Sequence, residues 1–258
     1  MFVPENVDDS LRFLDFAFEW GEKYELRILL AVFGLPGSQN GLVSSGCTTQ
    51  GTSWVEEVNR ALSLEALATL SDRYGNKDTL LGIEVMDRPS DALVGDVYYN
   101  RLLNAYYQHS YEVIRSRSMN AAVVFNEPIV SNLSEWRSIF PEPTYFNVAL
   151  DIHLYTESKD LISANYSKII ASTDTWARYI STESSFKPII VGEWSLNAKI
   201  GDTGQISRRS KQELVNAQQA AMSEAFGSFL WTWKVEEGLN EEDSLQNQLT
   251  NVNGLRLS

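Results

Sequence analysis

Short apolar runs alternate with longer amphipathic stretches along this chain. Six runs bounded by turn-forming residues read as strands, at 26–33, 80–86, 121–125, 148–155, 188–193 and 228–233. The intervening stretches 8–24, 53–74, 96–117, 160–180 and 208–226 repeat apolar residues at helical spacing. In 53–74, for example, Val55, Val58, Leu62, Leu67 and Leu70 carry that repeat. Short apolar strands alternating with long helices predict βαβ units around a parallel sheet. No linker rich in proline, glycine or serine interrupts the pattern, so one domain over 1–258 is expected.

In parallel sheets of this kind, chemistry collects in the loops after the C-terminal ends of the strands. Phe33-Gly34-Leu35-Pro36-Gly37 follows the first strand, Asp87-Arg88-Pro89 the second and Asn126-Glu127-Pro128 the third. His153 and Tyr155 end the fourth, Glu193-Trp194 the fifth and Trp231-Thr232-Trp233 the sixth. Carboxylates and flat aromatic rings on one rim suit glycoside hydrolysis, where two carboxyl groups flank the bond and rings stack on sugars.

Composition narrows the alternatives. A net charge of −13 and a pI near 4.6 argue against nucleic acid or an anionic membrane as partner, while a neutral polysaccharide is compatible. Cys47 is the single cysteine, so no intrachain disulfide forms. With only His109 and His153 beside it, a Cys/His zinc site is not expected. There is no GxxxxGK[ST], no GxGxxG and no GxSxG. No cofactor and no metal are therefore expected. No apolar run is long enough to span a membrane, and Met1–Asn6 lacks the basic start and apolar stretch of a signal peptide.

Five segments resemble, in order, the exo-β-1,3-glucanases of glycoside hydrolase family 5. Leu35-Pro36-Gly37-Ser38-Gln39-Asn40-Gly41 is similar to the loop after that family's third barrel strand. Gly82-Ile83-Glu84-Val85-Met86-Asp87-Arg88-Pro89 resembles the fourth strand, Asp151-x-His153-x-Tyr155 the sixth, Val191-Gly192-Glu193-Trp194-Ser195 the nucleophile strand, and Trp231-Thr232-Trp233-Lys234 the eighth. The resemblance implies an α/β fold of the (β/α)8 TIM-barrel type. Only about six βα units are present, and the first two strands have no counterpart, as in an N-terminally truncated, divergent relative. It implies that Glu193 holds the nucleophile position, that His153 and Tyr155 support it and contact sugar, and that Trp231 or Trp233 supplies the stacking platform.

The departures matter equally. The family's fourth strand ends Asn-Glu-Pro with its acid/base glutamate. Here Asp87 and Arg88 stand in those two positions, and Phe33 replaces a histidine before the glycine-rich loop. Guanidinium stays protonated and cannot serve as a proton donor. Asn126-Glu127-Pro128 spells the missing motif one strand later; Glu84, four residues before Arg88, reads as a polar residue inside the barrel.

The expectation is a β-glucan-associated glycoside hydrolase relative, catalytically impaired in the manner of a pseudoenzyme. The alternative is an active retaining β-glucosidase that uses Glu193 as nucleophile with Glu127 or another acid. Family members are commonly secreted or wall-associated. Sheet edges left open beside 26–33 and 228–233 are expected to favour self-association.

Overall fold

The computed structural model describes residues 7–46, 51–90, 93, 95–126, 140–156, 166–196, 208–235 and 244. Cys47, Glu127 and the expected helix start at 160 lie outside them. The chain divides into two compact units, Met1–Val148 and Ala149–Ser258.

The first unit runs α1 (Val7–Tyr24), β1 (Ile28–Ala31), a 3-10 turn (Val43–Ser45), α2 (Glu57–Tyr74), β2 (Leu80–Glu84), α3 (Val97–Arg115) and β3 (Ala122–Asn126). β1, β2 and β3 are parallel neighbours in chain order, with Ala31 opposite Glu84 and Glu84 opposite Val124. β2 is apolar almost throughout and its residues are nearly all buried, as parallel strands covered on both faces require.

α1 stops where the chain turns: Glu25 takes φ +56° and the Leu26 N–H returns to the Gly21 carbonyl at 2.9 Å. The first strand is therefore shorter than its apolar run, its start being spent on this turn. α1 is fastened to α2 by Phe18 stacked on Tyr74 with centroids 4.2 Å apart, and by Arg73 paired with Asp15 at 2.5 Å. The Arg73 guanidinium holds the Asp15 carboxyl below its ordinary value. α2 starts later than its pattern suggested because Ser53 and Trp54 are spent in a turn. The Ser53 N–H reaches the Gly37 carbonyl at 2.8 Å, and the Trp54 ring is fully buried.

α3 opens on Asp96, whose side chain accepts the Tyr99 N–H at 2.8 Å. Its buried face carries Tyr99, Tyr106, Tyr107 and Tyr111. Tyr106 meets Trp54 edge-on at 5.1 Å, while Tyr107 stacks on Phe125 at 4.8 Å. Their hydroxyls donate to the Val85 and Asn126 carbonyls, each at 2.9 Å. The helix thereby fixes the C-terminal ends of β2 and β3. Burial raises both phenol pKa values.

The second unit runs β4 (Val148–Leu154), α4 (Tyr166–Glu183), β5 (Ile189–Trp194), α5 (Arg208–Met222) and β6 (Gly227–Leu230). The strands are again parallel neighbours in chain order. Ile169 and Leu214 centre the core between α4 and α5, and the Tyr166 hydroxyl donates to the Ser210 carbonyl at 2.9 Å. α5 ends short of its pattern because the Phe226 N–H is taken by the Ile189 carbonyl at 2.8 Å, which leads the chain into β6. No helix among the described residues is long and apolar enough to cross a membrane.

Candidate active site

The second unit gathers three of the sequence-marked side chains. Pairing of β4 with β5 sets His153 opposite Glu193, after a register shift between Ile152 and His153. Glu193 is buried, at 5% exposure. The Tyr155 hydroxyl donates to its Oε2 at 2.7 Å, and His153 Nδ1 lies 3.3 Å from the same oxygen. Two groups from the end of β4 thus converge on one oxygen of a carboxylate on β5. A carboxylate held in this way is fixed in direction, the condition for a nucleophile that must meet an anomeric carbon in one orientation.

Behind this pair stands a residue whose role the sequence left unread. Asp151 Oδ2 lies 3.0 Å from His153 Nε2, and Asp151 Oδ1 accepts the Gly192 N–H at 2.5 Å. No local signal announces the second contact, because it joins residues far apart in sequence. Gln218 on α5 is a similar case: its Nε2 donates to the Ser195 carbonyl at 2.9 Å, bracing the chain just after Glu193.

Trp231 and Trp233 stay largely exposed, at 43% and 61%. β6 ends at Leu230, so strand alternation does not govern where their rings face. The Trp231 N–H still reaches the Trp194 carbonyl at 2.7 Å, anchoring the segment to β5.

In the first unit, Asp87 is buried and Arg88 half-buried, just past β2. The Asp87 N–H donates to the Val32 carbonyl at 3.0 Å. Gln39 Nε2 donates to the Asp87 carbonyl at 2.9 Å and to the Phe33 carbonyl at 2.5 Å, and its Oε1 accepts the Leu35 N–H at 3.1 Å. Asn40 Nδ2 donates to the Arg88 carbonyl at 2.8 Å. Arg88 sits at φ +43°, in the left-handed region that costs a side-chain-bearing residue about 1–2 kcal/mol. The Gln39 and Asn40 amides hold the carbonyls on either side of that strained backbone. Phe33 is 40% exposed. Glu84 is buried and accepts from Asn126 Nδ2 at 3.1 Å, bonded within the sheet.

Comparison with known proteins agrees with this architecture. Residues 38–237 match the family described as Cellulase (glycosyl hydrolase family 5). The chain is 25% identical over 268 residues to a probable glucan 1,3-beta-glucosidase A of Aspergillus terreus, covering 90% of this chain and 62% of that protein. It is 28% identical to the Aspergillus fumigatus protein of the same description, over 93% of this chain and 65% of the relative. The chain therefore spans a little under two thirds of the length of these curated relatives. Among solved structures, a rutinosidase from Aspergillus niger superposes with a TM-score of 0.76 at 19% identity, covering 97% of this chain and 74% of that one. An endoglucanase from the hyperthermophilic Thermotoga maritima gives 0.63 at 15% identity, covering 91% and 75%. These likenesses assign the fold to the (β/α)8 type, of which the described residues carry six strands.

Proposed function

This chain belongs to glycosyl hydrolase family 5, and from that membership we propose that it is a β-glucan-associated relative of the glucan 1,3-beta-glucosidases in which hydrolysis is impaired. In this reading 1–258 forms one barrel-type domain. Glu193 is the nucleophile, and His153 and Tyr155 orient it and contact sugar. Trp231 and Trp233 offer faces for sugar rings, with Phe33 and Asp87 on the substrate side of the first unit's loops. The observation that carries the reading is the 2.7 Å hydrogen bond from Tyr155 to Glu193, which presents one buried carboxylate at a strand end.

The proposed impairment rests on sequence position. A retaining mechanism needs a second carboxyl about 5–5.5 Å from the nucleophile, protonated at rest and returning as a base. The family's motif puts that group where this chain has Arg88. An arginine neither donates a proton at neutral pH nor takes one from water. Losing general acid–base help costs about 10²–10⁴-fold.

The second reading is a working β-glucosidase whose acid is Glu127. It is favoured by Asn126-Glu127-Pro128, which repeats the family's acid motif at the end of β3.

Among the described residues β1 pairs only with β2, and β6 only with β5. Such edges invite further strand pairing, so self-association belongs to the proposal.

The test pairs laminarin binding by calorimetry with hydrolysis of an aryl β-glucoside. Binding with turnover no faster than a Glu193→Gln control supports the proposal. Turnover well above that control overturns the impairment, and absence of glucan binding overturns the glucan assignment.

A further inference from the structure

Asp151 is among the most deeply buried charged residues of the second unit, at 1% exposure, and the proposed chemistry gives it no direct part. Both its oxygens are engaged. Oδ1 accepts the Gly192 N–H on the neighbouring strand, and Oδ2 meets His153 Nε2 two residues along its own strand. The ring's other nitrogen faces Glu193 Oε2 at 3.3 Å. A carboxylate, two faces of one imidazole and a second carboxylate thus form a continuous chain from the strand interior to its end.

Gly192 explains how the carboxylate fits there. A Cβ built on Gly192 would overlap both carboxylate oxygens and the carboxyl carbon of Asp151. Gly192 is not among the residues with positive φ, so glycine is needed here for room rather than for backbone freedom. The strand next to Glu193 is hollowed out at the one place where the Asp151 carboxylate must sit.

We propose that Asp151 is a positioning residue for the family 5 nucleophile: seated in the space left by Gly192, it holds the Nε2 proton and the ring angle of His153, and His153 in turn fixes Glu193. The inference rests on the reading of Glu193 as the nucleophile. The mechanism is plain hydrogen-bond chemistry. A carboxylate oxygen only accepts, so Nε2 facing Asp151 carries a proton, and Nδ1 facing Glu193 holds that carboxylate only when it carries one as well. A partner that fixes an imidazole from behind in this way is typically worth about 10–100-fold in the function of the group it orients, on the analogy of metal-ligating histidines. A merely structural Asp151 would staple β4 to β5 and do nothing to the ring.

Asp151→Asn separates the two. It is isosteric, and its amide oxygen can keep the Gly192 N–H. Its amide nitrogen, however, presents a donor to Nε2 and forces that atom to accept. Nε2 of His153 should therefore lose its proton, leaving Nδ1 as the protonated nitrogen. His109 on α3 is the only other histidine, so long-range nitrogen–proton correlation spectra of the imidazoles carry their own internal reference. The expected result is that the His153 nitrogen signals change character in Asp151→Asn while those of His109 stay. Gly192→Ala, which leaves the carboxylate in the sequence but removes its seat, should also displace them.

A second measurement reads Glu193 itself. With dinitrophenyl 2-deoxy-2-fluoro-β-glucoside, a Glu193 carboxylate oxygen bonds to the anomeric carbon. The bond from that carbon to the phenolic oxygen breaks, and dinitrophenolate leaves with the electron pair. No proton is needed, so the identity of residue 88 does not limit this step. The label is counted by intact-protein mass. Asp151→Asn should label about 10–100-fold more slowly than wild type. Unmoved His153 signals in Asp151→Asn overturn the inference, as does wild-type labelling in a variant whose signals have moved. Failure of the wild type to label at Glu193 overturns the nucleophile reading instead; the His153 spectra then still decide whether Asp151 sets the ring.

Discussion

Tyr155 donates its hydroxyl proton to Oε2 of Glu193 across 2.7 Å, joining the end of β4 to β5. A hydrogen bond to a charged group contributes about 1.5–3 kcal/mol, and one between neutral groups about 1. Tyr155→Phe should therefore destabilise the wild-type background by about 1.5–3 kcal/mol, and a Glu193→Gln background by only about 1. Denaturant melts of the four proteins close this cycle. Equal losses in both backgrounds would mean that Tyr155 does not meet a charged Glu193.

The loop after β1 turns on Gly37. Its φ is +78°, and an added Cβ would lie 2.7 Å from the Ser53 carbonyl carbon and 2.8 Å from the Trp54 amide nitrogen. Neither is the free end of a flexible side chain, so the neighbours cannot swing aside cheaply. Gly37→Ala should cost about 1–2 kcal/mol from the left-handed backbone alone, and more from the displaced Trp54. Thermal unfolding followed by tryptophan fluorescence would report both effects. A midpoint unchanged from wild type would show that the loop has another conformation open to it.

Tyr106 and Tyr107 make alkaline stability a measurable property of the first unit. Burial raises both phenol pKa values, so below the unfolded-state value near 10 both groups are neutral whether folded or not. Above that value the unfolded chain ionises while the folded chain resists. Stability is thus fully present below pH about 10 and is lost as pH rises from there towards the raised folded-state values. In a phenolate absorbance titration of the eleven tyrosines, a fraction should ionise only together with unfolding. A single smooth titration of all of them without loss of helix would contradict this burial.

The strand–helix alternation was legible because the apolar runs of β2 to β5 are buried nearly throughout and long helical stretches stand between strands, although β6 leaves Phe229 exposed and α2 buries Asn59, Ser63 and Ser71 where its apolar repeat had marked Val58 and Leu62. Boundaries were read less well, and always for the same kind of reason. The start of the 26–33 run is spent on the turn at Glu25, Ser53 and Trp54 on a bond to Gly37, and the end of the 208–226 helix on the Phe226 bond to Ile189. Each is a contact between segments that local pattern does not contain. The site divides similarly. Glu193, His153 and Tyr155 stand at strand ends that sequence alone can mark. The Asp151 seat in Gly192 and the Gln39 and Asn40 bonds to the carbonyls of Asp87 and Arg88 depend on register and on loop geometry. Those are properties of the folded chain only.

Arg88 carries the sharpest prediction. Its backbone is held by Asn40 at φ +43°, four residues past the end of β2, in the segment that resembles the family's acid/base motif. Arg88→Ala removes a cation but supplies no acid, so hydrolysis of aryl β-glucosides should stay at the Glu193→Gln level. Arg88→Glu supplies a carboxyl, and its benefit should depend on the leaving group. Departure of a dinitrophenolate needs no proton, whereas departure of an alkoxide or a sugar does. The ratio of Arg88→Glu to wild type should therefore be largest for the poorest leaving group. It should fall short of the 10²–10⁴-fold available to a complete acid–base pair, because Phe33 stands where the family has a histidine. Rates for a leaving-group series on wild type, Arg88→Ala, Arg88→Glu and Glu127→Gln decide the matter. Robust wild-type turnover that Glu127→Gln abolishes and Arg88→Ala leaves untouched would move the acid to the second Asn-Glu-Pro and make this chain a working glucosidase.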